Sequence, residues 1–200
     1  MIKAVLFDLD GVLIDLQTAW FNLLNAMCKH FGREGFTEEY FINNVWGITS
    51  HDAANKYFAN FEFRDIDNFI RKNLLNYSKY ILPMPDVENV LKEIKEKKFK
   101  IATATNTPTK LTAAILDRFN IRNYFDLIMA RDLVENSKPA PDMIFKACEE
   151  LGINVSEAIF IGDTEVDKIA AKNANCLFVG YNIDGDKRIN DLKELLKIII

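Results

Sequence analysis

The sequence predicts an α/β fold: a Rossmann-like parallel sheet core with helices on both faces, plus an inserted α-helical domain. Three observations lead there. Short β-rich apolar runs alternate with stretches of helical periodicity, the pattern of a parallel sheet covered by helices. Two of those runs, Ala4-Val5-Leu6-Phe7 and Ala158-Ile159-Phe160-Ile161, lead into a carboxylate, Asp8 and Asp163. Ligands of open α/β sheets bind at such strand ends. Residues 16–80 break the alternation, holding most of the aromatic residues and no good strand.

Taken in order, the expected strands are 3–7, 100–105, 127–130, 158–161 and 177–180. Helical spacing of apolar residues marks 87–97, 109–119, 142–151 and 165–173 between and before the later strands, and 189–196 at the C-terminus. The interrupting segment reads as four helices, 19–31, 38–45, 53–58 and 66–80. Leu82-Pro83-Met84-Pro85 marks its return point, because proline stops a helix and stiffens the chain. The expected division is therefore an α/β core of residues 1–15 and 83–200 and a helical domain of residues 16–82.

Composition narrows the function classes. The chain has 200 residues, 49% hydrophobic and 27% charged, as in a soluble globular protein. Its net charge of −4 leaves no basic footprint for nucleic acid. No apolar run approaches the roughly 20 residues of a membrane span, and the N-terminus does not read as a signal peptide. The three cysteines, Cys28, Cys148 and Cys176, are widely spaced and odd in number, so they read as packing residues in a reducing cytoplasm. A monomer is expected, with a dimer open.

The chemistry concentrates at four strand ends. Asp8 and Asp10 are one residue apart, so strand alternation points both to one side, and Gly11 lets the chain turn away. Burying two carboxylates without compensation is costly, which calls for a cation. The strand at 100–105 runs into Thr105-Asn106-Thr107-Pro108, where Thr107 reads as a helix N-cap and Pro108 as the first helical residue. That junction is either a plain strand–cap–helix connection or an anion site at a helix N-terminus. Lys138 stands before Pro139 on a stiffened loop, where it reads as a solvated surface lysine or as a cation projecting into the crevice. Asp163 is followed four residues later by Asp167, which falls in the first turn of a helix beginning near Thr164. Capping of that helix by Asp163 is the alternative, and it leaves Asp8 and Asp10 unexplained. Joined, the pieces make a phosphoryl-transfer site. Four carboxylates repel one another, a divalent cation with oxygen ligands such as Mg²⁺ offsets that, and Lys138, Thr105 and the metal surround a phosphate.

The series Asp8-x-Asp10-Gly-Val-Leu, Thr105-Asn106, Lys138-Pro-x-Pro-Asp and Gly162-Asp163-x-x-x-Asp167 resembles the haloacid dehalogenase superfamily, in its phosphoglycolate phosphatase and β-phosphoglucomutase branch. The resemblance spans residues 3–180. It implies a nucleophilic Asp8 that forms an aspartyl-phosphate and Asp10 as general acid and base. Thr105 and the Asn106 amide hold the phosphate, and Lys138 neutralises charge. Mg²⁺ is bound by Asp8, by the Asp10 carbonyl and directly by Asp163, while Asp167 binds it through water or orients Lys138. Thr103 is the competing phosphate contact if the motif is shifted by two residues. The helical segment resembles the type-1 cap of that family, with a specificity loop at 46–51, so that Gly47 and His51 become substrate-contact candidates. A Gly turn with Thr49 or Ser50 capping the next helix is the structural alternative there. His30 reads as a packing or exposed residue, and Arg33, Arg71 and Lys72 are left without a role.

The expected function is a Mg²⁺-dependent phosphatase of a small phosphorylated metabolite. A phosphomutase of the β-phosphoglucomutase type is the alternative, disfavoured because the cap lacks an Arg/Lys cluster for a second phosphate. A non-catalytic protein on the same fold ranks lower, since no catalytic position is lost. A dehalogenase ranks low because it has no use for the acidic pair Asp163 and Asp167.

Overall fold

The computed structural model describes residues 1–46 and 50–199; the side chains at positions 50–52, 71, 74, 75 and 78 lie outside that description. The chain divides into two compact units, Met1–Ile14 with Pro83–Ile200, and Asp15–Leu82.

The larger unit is built on a six-stranded sheet. Its strands are β1 (Ala4–Phe7), β4 (Lys100–Thr105), β5 (Leu127–Ala130), β6 (Ala158–Gly162), β7 (Leu177–Tyr181) and β8 (Lys187–Ile189). Two short strands, β2 (Ile14–Asp15) and β3 (Leu82–Pro83), lie where the chain leaves this unit and returns. The sheet order is β5-β4-β1-β6-β7-β8, with neighbours paired in parallel. Order therefore reverses beside β1: the chain first builds outward through β4 and β5, then returns to the other side of β1 for β6, β7 and β8. Ligands of open α/β sheets sit at such a reversal, outside the carboxyl ends of the strands. Register brings Phe7 level with Thr103 on one side and Ile161 on the other.

Both phases of the central strands are buried, as parallel sheets covered on two faces require. Ala4, Leu6, Ala102, Ala104, Phe160 and Phe178 pack with the apolar faces of α7 (Asp142–Leu151) and α8 (Glu165–Ala174). Val5, Phe7, Ile101, Ile159 and Ile161, of the opposite phase, are equally inaccessible. Helix α5 (Val87–Glu96) buries Val87, Val90, Leu91 and Ile94, a stripe at helical spacing, and packs on β4. Helix α6 (Thr109–Arg118) packs on β5. Residues Gly152 and Asn175 end α7 and α8 in the left-handed conformation, at φ 66° and 54°.

Two expectations are corrected here. The C-terminal segment is not one helix over 189–196. Ile189 closes the edge strand β8, Leu192–Glu194 is a 3₁₀ turn, and α9 is the single turn Leu195–Ile198. The apolar residues Ile189, Leu192 and Leu195 are buried as their spacing suggested, but Ile189 buries from a strand. The strand β8 was not expected, because Lys187 and Arg188 are exposed and only its last residue carries an apolar signal.

The smaller unit is helical: α1 (Gln17–His30), α2 (Glu38–Asn44), α3 (Ser50–Tyr57) and α4 (Phe63–Asn73), followed by a 3₁₀ segment at Leu74–Tyr80 where one helix over 66–80 was expected. Its core joins Leu24, Met27, Cys28, Phe41, Val45, Ala54, Phe58 and Ile66. Phe31 fills the centre of an aromatic cluster, 4.4 Å from the Phe61 ring and 5.9 Å from Phe58. His30 packs its ring 4.9 Å from Phe31 and Phe69. All three cysteines are buried and free.

Candidate active site

The site grows from three adjacent strand ends. Asp8 follows β1, and its N–H donates to Ile161 O at 2.9 Å, which extends the β1–β6 ladder by one residue and holds Asp8 beside β6. The chain then turns tightly. Leu13 and Ile14 both donate to Leu9 O at 3.0 Å, and Gly11 N–H donates to Ile14 O at 2.8 Å. Gly11 sits at φ +80°, and a Cβ there would lie 2.0 Å from Asp163 Oδ2. Glycine is therefore required twice over, for the backbone angle and for the approach of β1's loop to Asp163.

At the end of β4, Thr105 is buried and its Oγ1 accepts from Thr107 N–H at 3.1 Å. Thr103, also buried, donates its hydroxyl to Met129 O at 3.0 Å and is thereby committed to the sheet. Asn106 clamps the lysine loop with a reciprocal pair: its Nδ2 donates to Lys138 O, and Lys138 N–H donates to its Oδ1, each at 3.1 Å. A loop thirty-odd residues away is thus tied to the strand end, and the Lys138–Pro139 peptide is cis.

The expected helix start at Thr107 and Pro108 is corrected. Pro108 is the N-cap, and α6 begins at Thr109. The capping carboxylate comes from elsewhere: Asp132 Oδ1 accepts from both Thr109 N–H and Thr109 Oγ1 at 2.8 Å. Thr107 instead donates its hydroxyl to Asp10 Oδ2 at 2.8 Å. The half-buried Asp10 carboxylate offers a charge-assisted bond, which is stronger than the neutral cap it displaces.

At the end of β6, Thr164 caps α8 and forms a capping box with Asp167. Asp163 takes no part in that cap. Asp167 Oδ2 accepts from Thr164 N–H at 3.1 Å and from Thr164 Oγ1 at 2.5 Å, while its Oδ1 accepts from Lys138 Nζ at 2.6 Å. Lys138, only 2% exposed, also lies 2.8 Å from Asp8 Oδ1, as an ion pair rather than an aligned hydrogen bond. The solvated-lysine reading is therefore excluded.

Burial sets the electrostatics. It pushes Asp8 up to about 7, with Lys138 opposing and the charges of Asp167 and Asp10 adding. Burial pushes Asp10 up to about 6 against the Thr107 hydrogen bond. Asp163 is pushed up to about 8, by burial first and then by the charges of Asp8 and Asp167. Burial pulls Lys138 down, but Asp167 and Asp8 outweigh it and hold the ammonium above the usual lysine range.

One lysine does not balance four carboxylates, and the residues present fit a divalent cation. Asp8, Asp163 and Asp167 offer oxygens that all lie within 4.8 Å of one another. Asp163 Oδ1 is buried with no hydrogen-bond partner. The side chain of Asp10 is not in that group of three. Carboxylate oxygens of this number and hardness suit a hard divalent cation. The structure thus brings together Asp8, Asp10, Thr105, Asn106, Lys138, Asp163 and Asp167 at the ends of β1, β4 and β6. Gly47 and the side chain of His51 lie outside the described residues, while Ser50–Tyr57 forms α3. Sequence reasoning missed Thr107 and Thr164 as partners of the acidic residues, although a threonine three residues before an Asp at a helix start is a readable capping signal for Thr164.

This fold and site define a doubly wound α/β protein whose central strand ends present a buried lysine within an acidic, cation-accepting cluster. The sequence profile of the family described as haloacid dehalogenase-like hydrolase matches residues 5–181. Among curated relatives, a phosphoglycolate phosphatase of Aquifex aeolicus is 34% identical over 176 residues, covering 86% of this chain and 81% of the relative. A phosphorylated carbohydrates phosphatase of Thermotoga maritima is 27% identical over 177 residues, with the same two coverages of 86% and 81%. The crystal structure of a predicted phosphatase from Clostridium acetobutylicum superposes with a TM-score of 0.85 at 26% identity, covering 100% of this chain and 99% of that one. The chain belongs to the haloacid dehalogenase-like hydrolases. It is an enzyme, a phosphatase acting on phosphoric monoesters. No helix among the described residues is long and apolar enough to cross a membrane.

Proposed function

We propose that the protein is a Mg²⁺-dependent phosphatase of small phosphomonoesters, working through a phosphoryl group carried on Asp8. The observation that carries this reading is the buried Lys138 held between Asp8 and Asp167 at the carboxyl end of the central strand. A carboxylate in contact with a permanent ammonium stays available as a nucleophile despite its burial.

A carboxylate oxygen of Asp8 attacks phosphorus, and the bond from phosphorus to the leaving oxygen breaks. Asp10 gives its proton to that oxygen; a carboxyl pushed up to about 6 is suited to holding a proton near neutrality. Asp10 then takes a proton from water, the water oxygen attacks phosphorus, and the bond to Asp8 breaks, releasing phosphate and restoring both residues. Thr105 accepts from Thr107 N–H, so its own hydroxyl proton is left for a phosphoryl oxygen, and the Asn106 N–H is the second donor. Lys138 stays charged throughout and spreads its field over nucleophile and phosphate. Asp8, Asp163 and the Asp10 carbonyl would hold Mg²⁺, which when bound neutralises charge on the phosphoryl oxygens. Both Asp167 oxygens are already engaged, which suits it to orienting Lys138 and to reaching a cation through water. The names of the Aquifex and Thermotoga relatives favour a small phosphorylated acid or sugar as substrate, and we assign the choice among them to the inserted helical unit, Gly47 and His51 included. A reducing, cytoplasmic setting agrees with three buried free cysteines.

The test is phosphate release from phosphoglycolate, glycerol 3-phosphate, glucose 6-phosphate and pyrophosphate, with Mg²⁺ and with EDTA, for wild type and Asp8→Asn. Release that needs Mg²⁺ and disappears in a normally folded Asp8→Asn supports the reading. Acid quench with labelled substrate should leave label on wild-type protein and none on the variant. Release that survives either EDTA or Asp8→Asn refutes it.

A further inference from the structure

Thr107 reads from the sequence as a helix cap, yet it does no capping. Asp132 serves the start of α6, taking both the N–H and the hydroxyl of Thr109. Thr107 is free for another task, and all its polar groups are committed to it. Its N–H donates to Thr105 Oγ1 at 3.1 Å, its carbonyl accepts from Thr112 Oγ1 at 3.2 Å, and its hydroxyl donates to Asp10 Oδ2 at 2.8 Å. The Thr107 side chain is buried. Asp10 Oδ1, buried as well, has no hydrogen-bond partner.

The geometry points to Thr107 as the positioning residue for Asp10, fixing Oδ2 so that Oδ1 is the oxygen that gives and takes the proton. This rests on the reading of Asp10 as general acid and base. A hydroxyl donor suits the task because Oδ2 accepts from it whether Oδ1 carries a proton or not. The anchor therefore persists through both half-reactions, and only the free oxygen changes state. The same residue also holds Thr105 through its N–H, so one short segment sets both the phosphate-side hydroxyl and the proton-transfer oxygen. Proton transfer demands heavy-atom placement within hydrogen-bond reach, and small misplacements are expensive in rate.

The experiment is steady-state kinetics on Thr107→Val, Thr107→Ser and Asp10→Ala, alone and in the double variant Asp10→Ala/Thr107→Val. Substrates are the fastest alkyl phosphate of the panel above and p-nitrophenyl phosphate, whose leaving group departs with little help from a proton. Thr107→Val keeps the branched shape and removes the donor. It should lose kcat on the alkyl phosphate by about 10-fold to 100-fold with KM nearly unchanged. The loss on p-nitrophenyl phosphate should be smaller, and Thr107→Ser should recover most of the rate. On p-nitrophenyl phosphate the double variant should match Asp10→Ala alone. Thermal unfolding of each variant identifies any that fail to fold, in which case Thr107→Ala takes the place of valine. Slow Asp10→Ala with a normal Thr107→Val overturns the positioning role alone. So does a Thr107→Val loss that falls equally on both substrates or persists in the Asp10→Ala background. A normal Asp10→Ala overturns the acid–base reading and this inference with it.

Discussion

Replacing Lys138 by methionine should expose how much charge the site holds in check. The ammonium lies 2.6 Å from Asp167 and 2.8 Å from Asp8, with side chains that are 2%, 1% and 9% exposed. Methionine fills similar volume, so the loss is mainly of charge. Removing one partner of a buried ion pair costs about 3–5 kcal/mol, and here two carboxylates lose the same cation. For a chain of this size that is a drop of roughly 6–20 °C in unfolding temperature at pH 8 without metal. The pH dependence has a definite sign. Asp8 and Asp163 are raised in the folded state, to about 7 and about 8, from an ordinary 3.8. Groups raised in this way weaken the fold progressively as pH climbs from the unfolded value through the folded one. Lys138 is the main influence lowering Asp8, so its loss pushes Asp8 further up and deepens the penalty at high pH. The gap between Lys138→Met and wild type should therefore be wide at pH 8 and narrow at pH 5, where the carboxyls take up protons instead of remaining unpaired. Circular dichroism melts in EDTA at the two pH values measure it. Equal melting at pH 8, or a gap that does not change with pH, would refute the account of a charged, water-excluded cluster.

Three further outcomes are expected. Gly11→Ala forces a Cβ to within 2.0 Å of Asp163 Oδ2 at a positive φ, so it should destabilise by more than the ~1 kcal/mol of backbone strain alone and abolish phosphate release, read by melting and activity together. Thr103→Val should cost about 1 kcal/mol of stability and leave turnover near wild type, whereas Thr105→Val should lose at least about tenfold in kcat; the reverse pattern would move the phosphate contact to Thr103. Mg²⁺ added to metal-free protein should raise the unfolding temperature more at pH 8 than at pH 6, because the ion replaces protons on Asp8 and Asp163, and Asp163→Asn should remove most of that rise.

Much of this was readable in the chain because parallel strands buried on both faces are continuous apolar runs. Strands β4 and β5 have the expected bounds, and β1, β6 and β7 differ by one residue. The acidic residues were readable beside them: helix capping could account for Asp163 alone, but not for Asp8 and Asp10 at the end of a second apolar run. What could not be read is what crosses long distances in sequence. Thr107 reads as a cap because a Thr-Pro pair before a helix is a local signal. The residue that overrides it, Asp132, lies on another loop, and the acceptor Asp10 is nearly a hundred positions away. The clamp of Asn106 on Lys138 is likewise invisible without the fold. The edge strand β8 escaped notice because an edge needs only one buried side chain, and Lys187 and Arg188 carry no apolar signal.

The backbone contact between Met84 N–H and Leu13 O, at 2.9 Å, bears on how this chain can be rebuilt. The sheet-bearing unit departs at Ile14 and resumes at Pro83, so its two cut ends are already neighbours, joined across a roughly 70-residue excursion. A loop's closure entropy grows only with the logarithm of its length, so a tight turn of a few residues in place of that excursion would save about 2–3 kcal/mol in closing the ring. The acidic cluster, its lysine and its threonines all lie outside the excised stretch. The excursion therefore has the connectivity of a cassette: it enters and leaves at one seam, where the receiving chain already meets itself.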